Sequence, residues 1–148
     1  MRIHGKTPKL RLQTIDALKV VTPGWFFDRR SILKLKLANY KKDSEAYRVA
    51  DLSMQTIEIV CKGLMERIPE KRRKSVKVLI DNLAIINDTI WKLEDDIRGV
   101  IHSDVIVIRE KDVCNIAIQI VDSNDRRCQI VKEIDGLFGY GSDEKVYK

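Results

Sequence analysis

A chain of 148 residues with 28 Lys and Arg against 22 Asp and Glu, net charge +6, fits one domain with a real core. Hydrophobic residues make up 44% and charged residues 34%, while seven glycines and three prolines leave too little turn material for a sandwich or barrel. No apolar run approaches the ~18–20 residues that span a bilayer, and the basic stretch Met1–Gln13 lacks the apolar core of a secretory signal.

Residues 1–21 read as an N-terminal extension, partly ordered, in which Ala17–Val21 is expected as a short extended piece docking onto the rest. A first helix is predicted after Thr22-Pro23-Gly24, running to about Tyr40. Trp25, Asp28, Ile32 and Leu35 share one of its faces, which Phe26, Leu33 and Leu37 broaden. A second helix follows Ser44 as N-cap, with the seam Tyr47, Ala50, Met54, Ile57, Cys61, Leu64 and Ile68, and Pro69 stops it. The cluster Lys71, Arg72, Arg73 and Lys74 falls between two helical patterns and reads as a solvated loop beside a helix end. A phosphate-backbone contact is the sharper reading of that cluster. No interleaved aromatics, zinc-finger spacing or aromatic RNA-binding signature accompanies it, so nucleic acid is not the expected partner.

The third helix, beginning near Ser75, has the most regular pattern: Val76, Leu79, Leu83, Ile86, Ile90, Leu93, Ile97 and Val100. Spacings of three and four throughout predict coiled-coil-like packing against antiparallel neighbours. Gly99 to Asp104 is the expected break, with Ser103 a candidate cap. Val105–Ile108 is locally strand-like but is read as the start of a fourth helix reaching about Phe138, which Gly139 terminates. The seam of this helix is Val113, Ala117, Ile120, Asn124, Arg127, Val131, Ile134 and Phe138. The predicted architecture is an all-α antiparallel bundle of about four helices over 22–140, with a C-terminal tail at 141–148.

Polar residues within apolar seams locate the candidate site. Asp28 in the first helix, with Asn124 and Arg127 in the fourth, occupy positions where an unpaired charge costs several kcal/mol or so. Beside the third seam runs a further stripe, Asn87, Trp91, Glu94 and Arg98, spaced by four, three and four. Glu94 and Arg98 as a surface pair contributing ~0.3–0.5 kcal/mol, and Trp91 as a packing residue, are the plain alternatives for it. Arg127 has two main readings, beside the plain one of an arginine exposed to solvent. Satisfied by Asp28 or Glu94, it belongs to a network fixing how the helices pair. With donors left free towards a cavity, it is an anion receptor, with Asn124 for hydrogen bonding and Trp91 for stacking.

Asp81, Asp88 and Asp95, seven apart on the outer face of the third helix, read as solvated charges rather than a metal site. Cys61, Cys114 and Cys128 read as free thiols in a reducing, cytoplasmic compartment, with Cys61 on a core seam. His4 and His102 have no spaced nucleophile partner, and the paired E-x-x-E and E-x-x-D motifs of all-α nucleotide pyrophosphatases are not found.

Three blocks carry a resemblance. Pro23-Gly24 with Asp28-Arg29-Arg30-Ser31-Ile32-Leu33 and Lys36 is similar to the opening of a family of small bacterial and phage proteins of unknown function. Asn87 with Ile90-Trp91 and Glu94-Asp95-Asp96-Ile97-Arg98 resembles its central motif. Asn124-Asp125-Arg126-Arg127 with Lys132 and Ile134 resembles its C-terminal motif, and Glu144-Lys145-Val146-Tyr147 its ending. The chain departs at Trp25, where the family pattern usually has a glutamate. The resemblance implies a small all-α protein and supplies no activity or cofactor.

The function these readings point to is binding of an anionic small molecule, a nucleotide or phosphorylated sugar, in a polar pocket between helices. Sequestering a nucleotide signal without turnover is one concrete form. Arg127 and Arg98 would neutralise the anion, Asn124 and Asn87 orient it, Trp91 stack on it, and Asp28 and Glu94 hold the arginines. The alternatives are a small helical enzyme acting on such a compound, with or without Mg²⁺, and a non-catalytic scaffold. A homodimer or higher homo-oligomer is expected, because the long third seam exceeds what one protomer can cover.

Overall fold

A computed structural model describes residues 21–102 and 106–140, with side chains of the last helix from 110 onward. These residues form four helices and no strand: α1 Pro23–Asn39, α2 Glu45–Glu66, α3 Glu70–Ile101 and α4 Ile106–Leu137. The all-α bundle expected from the seams is therefore present. The extended piece expected at Ala17–Val21, the Ser103 cap and the tail at 141–148 lie outside the described residues, apart from Val21.

The helix ends follow from local chemistry. Thr22 is extended, and its hydroxyl accepts from the Trp25 N–H at 3.4 Å. Pro23 therefore sits at the first helical position, where a missing N–H costs nothing. The helix starts inside the Thr-Pro-Gly triplet rather than after it. Ser44 caps α2 as expected, accepting from the Tyr47 N–H at 3.1 Å. Pro69 follows the end of α2 and itself takes the N-cap position of α3.

Consequently α3 begins at Glu70, ahead of the expected Ser75, and Lys71–Lys74 is its first turn instead of a loop. Lys, Arg and Glu are good helix formers, and a turn without apolar residues shows no apolar period to detect. At the other end, Gly139 adopts φ +82°, the Tyr140 N–H donates to the Asp135 carbonyl at 2.9 Å, and the Gly139 N–H to the Gly136 carbonyl at 3.1 Å. This paired arrangement closes α4 where the glycine predicted it.

α3 and α4 form a hairpin, α1 packs on both of its arms, and α2 packs on α1. At ~1.5 Å per residue each 32-residue arm is about 48 Å long, while the 17-residue α1 covers only about 25 Å. The core gathers where all four helices overlap: Phe27 and Leu33 from α1, Ala50, Ile57 and Cys61 from α2, Val76, Leu83, Ile86 and Ile90 from α3, and Ile130 and Ile134 from α4. Among the described residues none between 91 and 129 is fully buried. There the seam residues Leu93, Ile97, Val113 and Ile120 are only half-buried. Ile85 on α3 and Ile118 and Val121 on α4 are well exposed.

One expectation about α1 is corrected. Trp25, placed on the apolar face by periodicity, is 45% exposed and packs its edge against Phe26, whereas Phe27 is fully buried against Phe138. The bond from the Gly24 N–H to Asp135 of α4 sets the rotation of α1 so that 24, 27, 28 and 31 face inward.

Candidate functional site

Three helices each deliver one polar side chain to a common point. The Asp28 carboxylate of α1 accepts through Oδ1 from Asn87 Nδ2 of α3 at 2.9 Å. Its other oxygen, Oδ2, lies 3.9 Å from Arg127 Nε of α4. The first is a well-formed hydrogen bond; the second is a charge contact beyond hydrogen-bonding range. Asn87 is buried, next to seam residues Ile86 and Ile90, so its amide requires a partner and Asp28 supplies it. The Asp28 side chain is 14% exposed and that of Arg127 is 29% exposed, which places the arginine at the mouth of the junction. Among the described residues, its two terminal nitrogens have no hydrogen-bond or ion-pair partner, and no buried side-chain nitrogen or oxygen lacks one.

The other predicted site residues stand apart from this trio. Asn124, one turn before Arg127, donates to the Ile120 carbonyl of its own helix at 3.0 Å. The Trp91 ring, one turn beyond Asn87, meets Tyr40 at 6.5 Å between centroids. Arg98 pairs with Glu94 at 3.6 Å and with Asp95 at 2.9 Å in the manner of exposed surface charges. It lies three turns past Asn87, about 16 Å along the axis at ~1.5 Å per residue.

Sequence reasoning missed Asp135. Buried at 8% exposure, its Oδ1 accepts from the Gly24 N–H at 2.6 Å. The carboxylate thereby occupies the positive end of the α1 dipole and satisfies an amide with no partner inside the helix. A Cβ on Gly24 would lie 2.5 Å from the Val131 carbonyl oxygen and 2.8 Å from Asp135 Oδ1, so glycine is what permits this approach. Two signals pointed there: Asp135 is four residues after seam residue Val131, and the Thr22 cap is taken by the Trp25 N–H, which leaves the Gly24 N–H without a local acceptor.

Asp81 and Asp95 are exposed, and Asp88 pairs with Lys92 at 2.6 Å. Among the described residues, no group of three His, Cys, Asp or Glu is placed to hold a metal ion. Cys61 is fully buried and free, Cys114 and Cys128 are exposed and free, and His102 is exposed at the end of α3. No described helix is long and apolar enough to cross a membrane.

Fold and site together define an all-α bundle with a part-buried carboxylate–amide–guanidinium junction. No family model matches the chain, and no curated protein or solved structure matches it either.

Proposed function

We propose that the protein binds an anionic small molecule, a nucleotide or sugar phosphate, at the Asp28–Asn87–Arg127 junction and does not convert it. The observation that carries this reading is the engagement of Arg127 with Asp28 through Nε alone, at 3.9 Å. Both terminal nitrogens are left for an incoming oxyanion, in the fork geometry that suits phosphate. Asp28 orients the arginine, and Asn87 holds Asp28. Since both Asp28 oxygens face these donors, the carboxylate is poorly disposed to act as a general base, and the reading stops at binding.

The test is native mass spectrometry of the full chain freshly purified from cells, followed by denaturing release. A co-purifying anion that disappears in Arg127→Ala, with helix content by circular dichroism unchanged, supports the proposal. An anion retained by that variant overturns it.

A second reading is favoured by the 2.9 Å Asn87–Asp28 bond: the junction is a device that specifies helix pairing, and the protein is a scaffold. Replacing both Asp28 and Arg127 by apolar residues would then be neutral or stabilising.

We also propose self-association through the outer half of the α3–α4 hairpin, where half-buried seam residues carry exposed Ile118 and Val121 beside them. Three free cysteines, two of them exposed, fit a reducing compartment such as the cytoplasm.

A further inference from the structure

We propose a second ligand site, distinct from the Arg127 junction, at the corner where α2 gives way to α3. It takes a compound bearing a pyrophosphate group and a hydroxylated sugar, such as a nucleoside diphosphate.

A groove of about 420 Å³ lies there, within the range of small-molecule sites. Three helices line it with cations: Arg30 from α1, Lys62 from α2, and Arg73 and Lys77 from α3. Both arginines are held in place before any ligand arrives. Arg73 Nε donates to the Ile68 carbonyl at 2.9 Å, which leaves its two terminal nitrogens uncommitted. Arg30 lies 5.3 Å over the Phe27 ring and 3.6 Å from Glu58, with its side chain 17% exposed. Lys62 and Lys77 are exposed and, among the described residues, have no ion-pair partner.

The electrostatics of α3 point the same way. Lys71, Arg72, Arg73 and Lys74 crowd the first turn, the positive end of the helix dipole, where cations are disfavoured. Of these only Lys74 is offset within the turn, by Glu70 at 3.8 Å. A bound oxyanion relieves that repulsion, and Arg73 and Lys77 carry it into the groove.

The remaining lining selects more than charge. Glu66 and Asp81 stand four residues after Lys62 and Lys77, the less favourable order for a helix pair, and neither is within ion-pair distance of its lysine. Two acceptor-only groups beside the cations suit the hydroxyls of a sugar. Met65 and Ile80, both half-buried, supply an apolar surface for a ring.

The experiment is isothermal titration calorimetry of the full chain with ADP and with inorganic pyrophosphate as probes. The variants are Arg73→Gln combined with Lys77→Gln, Lys62→Gln alone, Arg127→Ala, and a remote charge control, Lys41→Gln combined with Lys42→Gln. Circular dichroism confirms that each folds, and Lys62→Gln alone decides if the double variant does not. The expected result is saturable ADP binding, weakened about tenfold or more in the groove variants and changed by less than about twofold in Arg127→Ala and the control. Equal loss in the remote control, or no binding at millimolar ADP, overturns the site. Loss in Arg127→Ala with the groove variants intact overturns it while supporting the junction reading. Pyrophosphate bound as tightly as ADP removes the role given to Glu66 and Asp81.

Discussion

The Gly24 N–H donates to the Asp135 carboxylate at 2.6 Å across 111 residues of chain, pinning the first turn of the first helix to the last turn of the fourth. In most helices that anion-favouring end is open to solvent or ligand. Here the protein fills it with its own carboxylate, so the N-terminus of α1 is closed to any external anion.

Gly24→Ala is therefore expected to destabilise the fold. Alanine in a helix normally gains up to about 1 kcal/mol over glycine, but its Cβ would lie 2.5 Å from the Val131 carbonyl oxygen and 2.9 Å from Val131 Cγ1. Overpacking against backbone costs about 1–3 kcal/mol and carries the balance. Urea unfolding of the variant checks the sign; equal or greater stability would mean that α1 slides freely on α4.

Asp28 and Asn87 are expected to be coupled. Removing either partner leaves a shielded polar group without its bond, at about 1–3 kcal/mol. Removing both should cost less than the sum, with an interaction energy on the order of 1 kcal/mol in a cycle of Asp28→Ala and Asn87→Ala. Additive losses would show that the 2.9 Å contact contributes nothing to stability.

Much of this was legible in the sequence because burial follows period. The periods of α2 and α3 mark their buried faces, that of α4 finds Ile134 but not its core neighbour Ile130, and the polar residues interrupting or flanking the apolar faces of α1, α3 and α4 (Asp28, Asn87 and Arg127) do converge. Other features depend on neighbours that no single helix encodes. The Asn87, Trp91, Glu94 and Arg98 stripe has one geometry in sequence, yet only its first member is buried against another helix. Trp25 was misplaced because the rotation of α1 is set by Gly24 and Asp135, a contact between residues too distant in sequence for any period to join. The early start of α3 at Glu70 was hidden because its first turn carries no apolar residue.

Stability should fall on the alkaline side through Cys61. Burial pushes this thiol from its ordinary 9.0 up to about 11, opposed by Arg30 and Lys34 and reinforced by Glu58. The unfolded chain loses the proton first, so the contribution is intact below pH 9.0 and is lost as pH rises towards about 11. The drop amounts to roughly 2–3 kcal/mol, at ~1.4 kcal/mol for each unit. Denaturant unfolding at a series of pH values should show it, and Cys61→Ala should flatten the profile. A thiol reagent should label Cys114 and Cys128 in the native protein and reach Cys61 only on unfolding.

Light scattering should return at least twice the protomer mass for the wild-type chain. Ile118→Glu combined with Val121→Glu, both on the exposed side of α4, should return the protomer mass without loss of helix content. A wild-type protomer mass that holds across concentration would remove the association proposal.

The residue that closes the bundle also sets a schedule for making it. Asp135 lends its side chain to α1 and its carbonyl to the cap of α4, so one position secures both ends of the folded unit. On a ribosome, Gly24 emerges long before that partner exists, and α1 and α2 must wait while both hairpin arms are synthesised. The nascent chain therefore displays the face of Phe27 that packs on Phe138 until its last helix arrives. A protein stalled short of residue 135 would be a target for chaperones and proteases rather than a smaller working version of itself.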